Sequence, residues 1–197
     1  MSRNDLSDYL IHFTKGDSLE AAFVCLRKIM AERRLLGSNS LIKGGYSCVC
    51  FSEAPLTALQ NGLMNPQFYS QYSPFGVLVH KYWLFQQGGR PVIYQPDDEF
   101  SVLPESHRWR HVRYEPPKID FSWEREWRIP CVSLSFDQST ASIVVPNTEW
   151  AQYMVQLHEQ EQEYQVMQLR TIFDDTLAQQ HCSSFQWRLI PLQSGIH

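Results

Sequence analysis

Apolar and polar positions alternate with strand or helix period along most of the chain, and the alternation predicts short, interspersed elements. Tyr9 to Thr14 reads as a first strand, followed by a turn at Lys15-Gly16-Asp17-Ser18 with Asp17 or Ser18 as a helix N-cap. From Leu19 to Arg34, the apolar residues Ala22, Phe23, Leu26, Ile29 and Met30 recur at helical spacing. Gly37 stands where a helix C′ residue would. Ser47 to Ser52 reads as a strand running into a short helix at Glu53-Ala54-Pro55-Leu56, with Pro55 in its first turn. An aromatic loop, residues 65 to 74, leads to a strand at Phe75 to His80. A short helix from Lys81 to Gln87, closed by Gly88-Gly89, and a strand from Arg90 to Tyr94 come next. Residues 95 to 118 are irregular and rich in Pro and charged residues. Beyond them come strands at Trp123 to Ile129 and Ser142 to Pro146, helices over 148 to 160, with a continuation toward Arg170, and over 171 to 180, and a final strand at Phe185 to Ile190.

The segment Trp123-Glu124-Arg125-Glu126-Trp127-Arg128-Ile129 is the least ordinary of these. Read as one continuous strand, it puts Trp123, Arg125, Trp127 and Ile129 on one face and Glu124, Glu126 and Arg128 on the other. Two carboxylates then point the same way. That arrangement suits a site stabilising a developing positive charge, and equally a solvated strand face partly neutralised by Arg128.

Composition narrows the class. The chain has 197 residues, 43% hydrophobic and 19% charged, which fits one α+β domain, residues 1–197, with a sizeable core. Aromatics reach 13%, which favours a β-rich core or an aromatic-lined cleft. The net charge of −4 gives no overall footprint for nucleic acid, although Arg108, Trp109, Arg110, His111, Arg113 and Tyr114 interleave cations with aromatics locally. The five cysteines make no disulfide or zinc pattern, Cys25, Cys131 and Cys182 reading as small buried apolar residues; a reducing, cytoplasmic setting is expected. The polar opening Met1-Ser2-Arg3-Asn4-Asp5 has no apolar run behind it, so neither a secretory leader nor a membrane span is expected. No metal is expected either.

Three local patterns carry candidate chemistry. They are His12-Phe13-Thr14 on the first strand, Phe51-Ser52-Glu53 at a strand-to-helix junction, and Glu124-Arg125-Glu126. Each has a plainer explanation: a hydrogen-bonded structural histidine, an ordinary helix start, a solvated strand. Their order along the chain is more specific than any one of them. In that order they resemble the ADP-ribosyltransferase superfamily. Its members carry a first-strand His or Arg, an aromatic–Ser/Ala–acid strand end, and a late-strand glutamate, often in an E-x-E pair. The chain is similar more closely to AbiGi-like bacterial abortive-infection proteins. The similarity runs through Cys50-Phe51-Ser52-Glu53-Ala54-Pro55-Leu56, through Phe75-Gly76-Val77, Lys81 and Trp83 to Gly89-Arg90-Pro91-Val92-Ile93-Tyr94, and through Glu124 to Arg128. It spans roughly His12 to Pro146.

The resemblance implies a split β-sheet core with short flanking helices and NAD⁺ used as an ADP-ribose donor. Cleavage of the nicotinamide–ribose bond passes through an oxocarbenium-like state. By the resemblance, Glu126 stabilises that cation and Glu124 guides the acceptor. His12 binds the adenosine ribose hydroxyls with Thr14 as its neighbour, and Ser52 belongs to the same cofactor wall. Tyr72, Phe51 and Tyr94 are open alternatives for the aromatic floor under nicotinamide. Cys50 stands where many histidine-type members carry a tyrosine. The implied acceptor is RNA, DNA or protein, and an antitoxin or chaperone partner is implied by toxins of anti-phage systems. A catalytically degenerate binding or antitoxin module and an NAD⁺ glycohydrolase are the alternatives.

Overall fold

The computed structural model describes residues 7–53 and 73–193, and shows a mixed α/β chain built on a mostly antiparallel sheet. In chain order the elements are β1 (Tyr9–Phe13), α1 (Leu19–Glu32), β2 (Arg34–Leu36), β3 (Cys48–Ser52), β4 (Gly76–His80), α2 (Lys81–Gln86), β5 (Arg90–Pro91), β6 (Ile93–Gln95), β7 (His111–Arg113), β8 (Glu126–Pro130), β9 (Ser133–Ser135), β10 (Ala141–Asn147), α3 (Thr148–Leu169), α4 (Asp175–Gln180) and β11 (Leu189–Gln193). Seven strands form the main sheet in the order β11-β10-β4-β1-β3-β8-β5, with only the β10–β11 pair parallel. Two small pairs, β2–β9 and β6–β7, stand beside it.

Strand alternation divides the core. One face contributes Leu10, Val49, Phe51, Val77, Val79, Trp127, Ile129, Ile143 and Val145, which pack with Ala22, Phe23, Leu26 and Met30 of α1 and Met154 of α3. The other contributes Ile11, Phe13, Leu78 and Val144, joined by Leu192. α1 is held at its start by Ser18, whose hydroxyl accepts from the Ala21 N–H. Gly76 lets β4 approach β1 closely, since a Cβ there would lie 2.6 Å from the His12 carbonyl oxygen.

Several sequence expectations shift. α1 ends at Glu32, because Arg33 turns into the left-handed region at φ 51° and the chain leaves as β2. Gly37 is therefore no helix cap; its small size admits the Cys131 carbonyl, which a Cβ would meet at 2.1 Å. Arg90 to Tyr94 divides into β5, paired with β8, and β6, paired with β7. The first C-terminal helix runs on to Leu169, the second starts at Asp175, and the last strand begins at Leu189. Cys182 is exposed, and Cys25 and Cys131 are half-buried. The irregular stretch is structured by 3-10 turns at Asp97–Val102 and Glu105–Arg110 and by β7. The expected helix at Ala54-Pro55-Leu56 and the loop aromatics Phe68, Tyr69 and Tyr72 lie outside the described residues.

Among the described residues, no helix is long and apolar enough to cross a membrane.

Candidate functional site

The main sheet has a seam. β1 joins β4 through five registered pairs and β3 joins β8 through five, but β1 joins β3 through one, Ile11↔Ser52. Two half-sheets, β11-β10-β4-β1 and β3-β8-β5, therefore meet at a single pair. Just beyond that pair the His12 side chain takes over from the backbone ladder, its Nδ1 lying 2.8 Å from the Cys50 carbonyl oxygen. A carbonyl only accepts, so Nδ1 carries the proton. Burial, opposed by this bond, holds the His12 imidazole below its ordinary value. The neutral ring leaves Nε2 as an acceptor. The Phe51 ring packs edge-on to it at 5.8 Å.

On the same side as Phe51 lies Glu53, whose carboxylate is doubly held. Lys81 Nζ approaches Oε1 at 2.6 Å, and Trp127 Nε1 donates to Oε2 at 2.7 Å. This anchored acid stands inside the Phe51-Ser52-Glu53 motif. The spacing alone does not single it out, since Lys81 reaches it from the start of α2 and Trp127 from β8.

Glu126 opens β8 opposite Ser52, and Ser52 lies opposite Ile11. Directly paired residues of an antiparallel sheet emerge on one face. Glu126 and Ser52 thus belong to the Ile11 face, while His12, Phe51 and Glu53 belong to the other. Glu126 is bound fork to fork by Arg128, with Nε to Oε1 at 2.7 Å and Nη2 to Oε2 at 3.1 Å. Arg128 is 5% exposed, and its Nη1 donates to the carbonyls of Trp109 at 3.1 Å and His111 at 2.9 Å. The 95–118 segment thereby closes over this face. Cys50 lies opposite Arg128. Burial, and then the Glu126 charge, push its thiol up.

The continuous strand expected from Trp123 to Ile129 is corrected. Ser122–Glu124 is a 3-10 turn, and Arg125 adopts φ 45° before the strand begins. Alternation therefore does not carry back to Glu124, and the two glutamates are not strand neighbours on one face. The Ser52 hydroxyl donates to the Glu124 carbonyl at 2.7 Å, fixing the turn by its backbone. Tyr94 completes the support: its hydroxyl accepts from the Glu126 N–H at 3.1 Å and donates to the Phe121 carbonyl at 3.3 Å. Burial pushes the Tyr94 phenol up to about 12, so it stays a neutral donor. Thr14 is 2% exposed and donates to the Phe75 carbonyl at 3.2 Å. The structure thus gathers Ser52, Tyr94 and Glu126 with Glu124's backbone, sets Phe51 on the opposite face and His12 across the seam, and buries Thr14 against Phe75 just beyond the β1–β4 ladder.

Among the described residues, no group of three or more His, Cys, Asp or Glu side chains is placed to hold a metal ion. No family model, curated protein or solved structure matches the chain.

Proposed function

We propose that the chain is an NAD⁺-dependent ADP-ribosyltransferase of the cytoplasm, working in bacterial anti-phage defence and modifying a macromolecular acceptor. The observation that carries this is the one-pair seam, with a neutral histidine on one side and a half-buried carboxylate on the other. Neighbouring strands stand about 4.8 Å apart, so the His12 and Glu126 backbones are roughly 10 Å apart across β3. That span suits a dinucleotide. Because the two side chains take opposite faces, NAD⁺ would reach both by wrapping the strand ends where Ser52 closes β3 and Glu126 opens β8.

In this proposal His12 Nε2 accepts from ribose hydroxyls of the adenosine half. Glu126, oriented by Arg128 and by the Tyr94–backbone bond, faces the oxocarbenium charge that develops as nicotinamide leaves. Phe51, which the resemblance offered for the nicotinamide floor, is 2% exposed in the core and backs the His12 ring instead. Glu124 approaches the acceptor from the turn, not from the strand.

A second reading is favoured by one specific observation. Both Glu126 oxygens are already engaged by Arg128, as suits a binding module in which the pair is structural. Incubation with adenylate-labelled NAD⁺ and cell extract separates the readings. Transfer of label that is lost in Glu126→Gln and kept in Glu53→Gln supports the proposal. Nicotinamide release without a labelled macromolecule identifies a glycohydrolase. No turnover, with harmless expression of the chain in bacteria, identifies a binding module.

A further inference from the structure

The outer edge of the main sheet carries charge that the site above does not use. Arg90 of β5 lies opposite Arg128 of β8, so their side chains leave the same face of adjacent strands. Arg128 is neutralised by Glu126, but among the described residues neither Arg90 nor Arg110 has an ion-pair partner. Both are nonetheless fixed in place. Arg90 Nη1 donates to the carbonyls of Phe85 at 2.9 Å and Gly89 at 2.7 Å, and Arg110 Nε donates to the Pro91 carbonyl at 2.8 Å. Burial, and after it the Arg90 charge, hold the Arg110 guanidinium below its ordinary value, as expected of two cations brought close.

The rest of the basic run is committed elsewhere. Arg108 is bonded to the Leu103 and Ser101 carbonyls, and Arg113 is paired with Glu115. Each guanidinium has five N–H donors. Arg90 keeps its Nε and Nη2 donors, and Arg110 its Nη1 and Nη2 donors, without a partner among the described residues. Beside them the Arg90 guanidinium lies 4.0 Å over the Phe85 ring, and Tyr82, one turn earlier on α2, is 65% exposed. Pre-positioned guanidiniums next to exposed rings match a phosphate backbone with stacking bases.

We propose that Arg90 and Arg110 form a phosphate-binding site at the β5 edge that takes the backbone of single-stranded nucleic acid, with Tyr82 as a stacking platform. The pyrophosphate of NAD⁺ shares this chemistry and is distinguished below. The site deepens the proposed transfer reaction by naming the acceptor class. Its binding test uses no NAD⁺ turnover, so the two stand or fall separately.

The experiment is fluorescence anisotropy of a labelled, mixed-sequence single-stranded RNA and its DNA counterpart against the full chain over a salt series. A parallel NAD⁺ titration by calorimetry completes it. With Arg90→Gln/Arg110→Gln, oligonucleotide affinity is expected to fall about tenfold or more at low salt. The slope of log K on log salt should drop by about 1.4, the loss of two single-strand phosphate contacts. Arg113→Gln, which removes a committed arginine, should leave both unchanged. Tyr82→Ala alters only an exposed ring and should weaken binding even if the double variant melts early. Oligonucleotide binding that is absent in the wild type, or equal in the wild type, the double variant and Tyr82→Ala, overturns the site. Loss confined to NAD⁺ affinity overturns it too, and assigns the arginines to the donor pyrophosphate.

Discussion

Replacing Arg128 by Met tests whether the Glu126 carboxylate is held by a single buried cation. The wild-type guanidinium makes two bonds to Glu126 and two to the Trp109 and His111 carbonyls. The Met side chain fills part of the volume but leaves a carboxylate unpaired at 14% side-chain exposure, with two carbonyls short of a donor. Breaking a buried pair from one side costs about 3–5 kcal/mol. The residual exposure of Glu126 lets some water return and pulls the value toward the lower end. Glu126→Gln keeps one acceptor for the guanidinium, so a smaller loss of about 1.5–3 kcal/mol is expected. The double variant removes both charges, and the two losses should fall short of adding by about 2 kcal/mol. Urea unfolding followed by tryptophan fluorescence gives each value. For a chain of this length, 4 kcal/mol corresponds to a fall of roughly 10 °C in Tm. The reasoning is refuted if Arg128→Met lies within about 1 kcal/mol of wild type, or if the single losses simply add.

Two further predictions follow from titratable groups. The His12 imidazole is depressed in the folded chain, so His12 adds no pH dependence above its ordinary value of 6.5, and stability falls as pH drops below it and the unfolded chain takes up the proton. Between pH 7 and 5 the wild type should lose more stability than His12→Gln, which keeps a donor for Cys50; parallel curves would falsify the burial of the ring. For the thiols, burial pushes Cys48 up to about 11 and Cys50 higher still, while Cys182 is exposed. A neutral-pH thiol reagent should mark Cys182 first and leave Cys48 and Cys50 until the chain is unfolded, and early labelling of Cys50 by mass spectrometry would contradict its packing against Glu126 and Arg128.

Much of the fold was legible where period and length cooperate. Leu10, Ile11 and Phe13, and the run Ile143-Val144-Val145, are buried strand positions as their patterns predict, and α1 buries its helically spaced residues behind a serine cap. β2 is not legible because three residues carry too little pattern, and its pairing with β9 is set by residues almost a hundred positions away. The breaks at Arg33 and Arg125 are harder still. Left-handed backbone in a non-glycine residue leaves no mark in the sequence, since tertiary bonds impose it. That single residue, Arg125, separates Glu124 from the strand to which alternation had assigned it. The opposite faces of His12 and Glu126 follow from inter-strand register, a nonlocal property that no local spacing encodes.

The seam between the half-sheets has a consequence for how this chain tolerates change. Within either half, a one-residue slip would turn a buried set of side chains into solvent, so each register is locked by its own alternation. Across Ile11↔Ser52 one backbone pair, one histidine bond and the shared packing on α1 oppose sliding. A two-residue displacement there would preserve every inward-facing position in both halves while moving β8 by about 7 Å relative to β1. The fold thus has a built-in vernier: the distance between the two walls of the site can be reset by repacking the shared core against α1, with the alternation of each half left as it is.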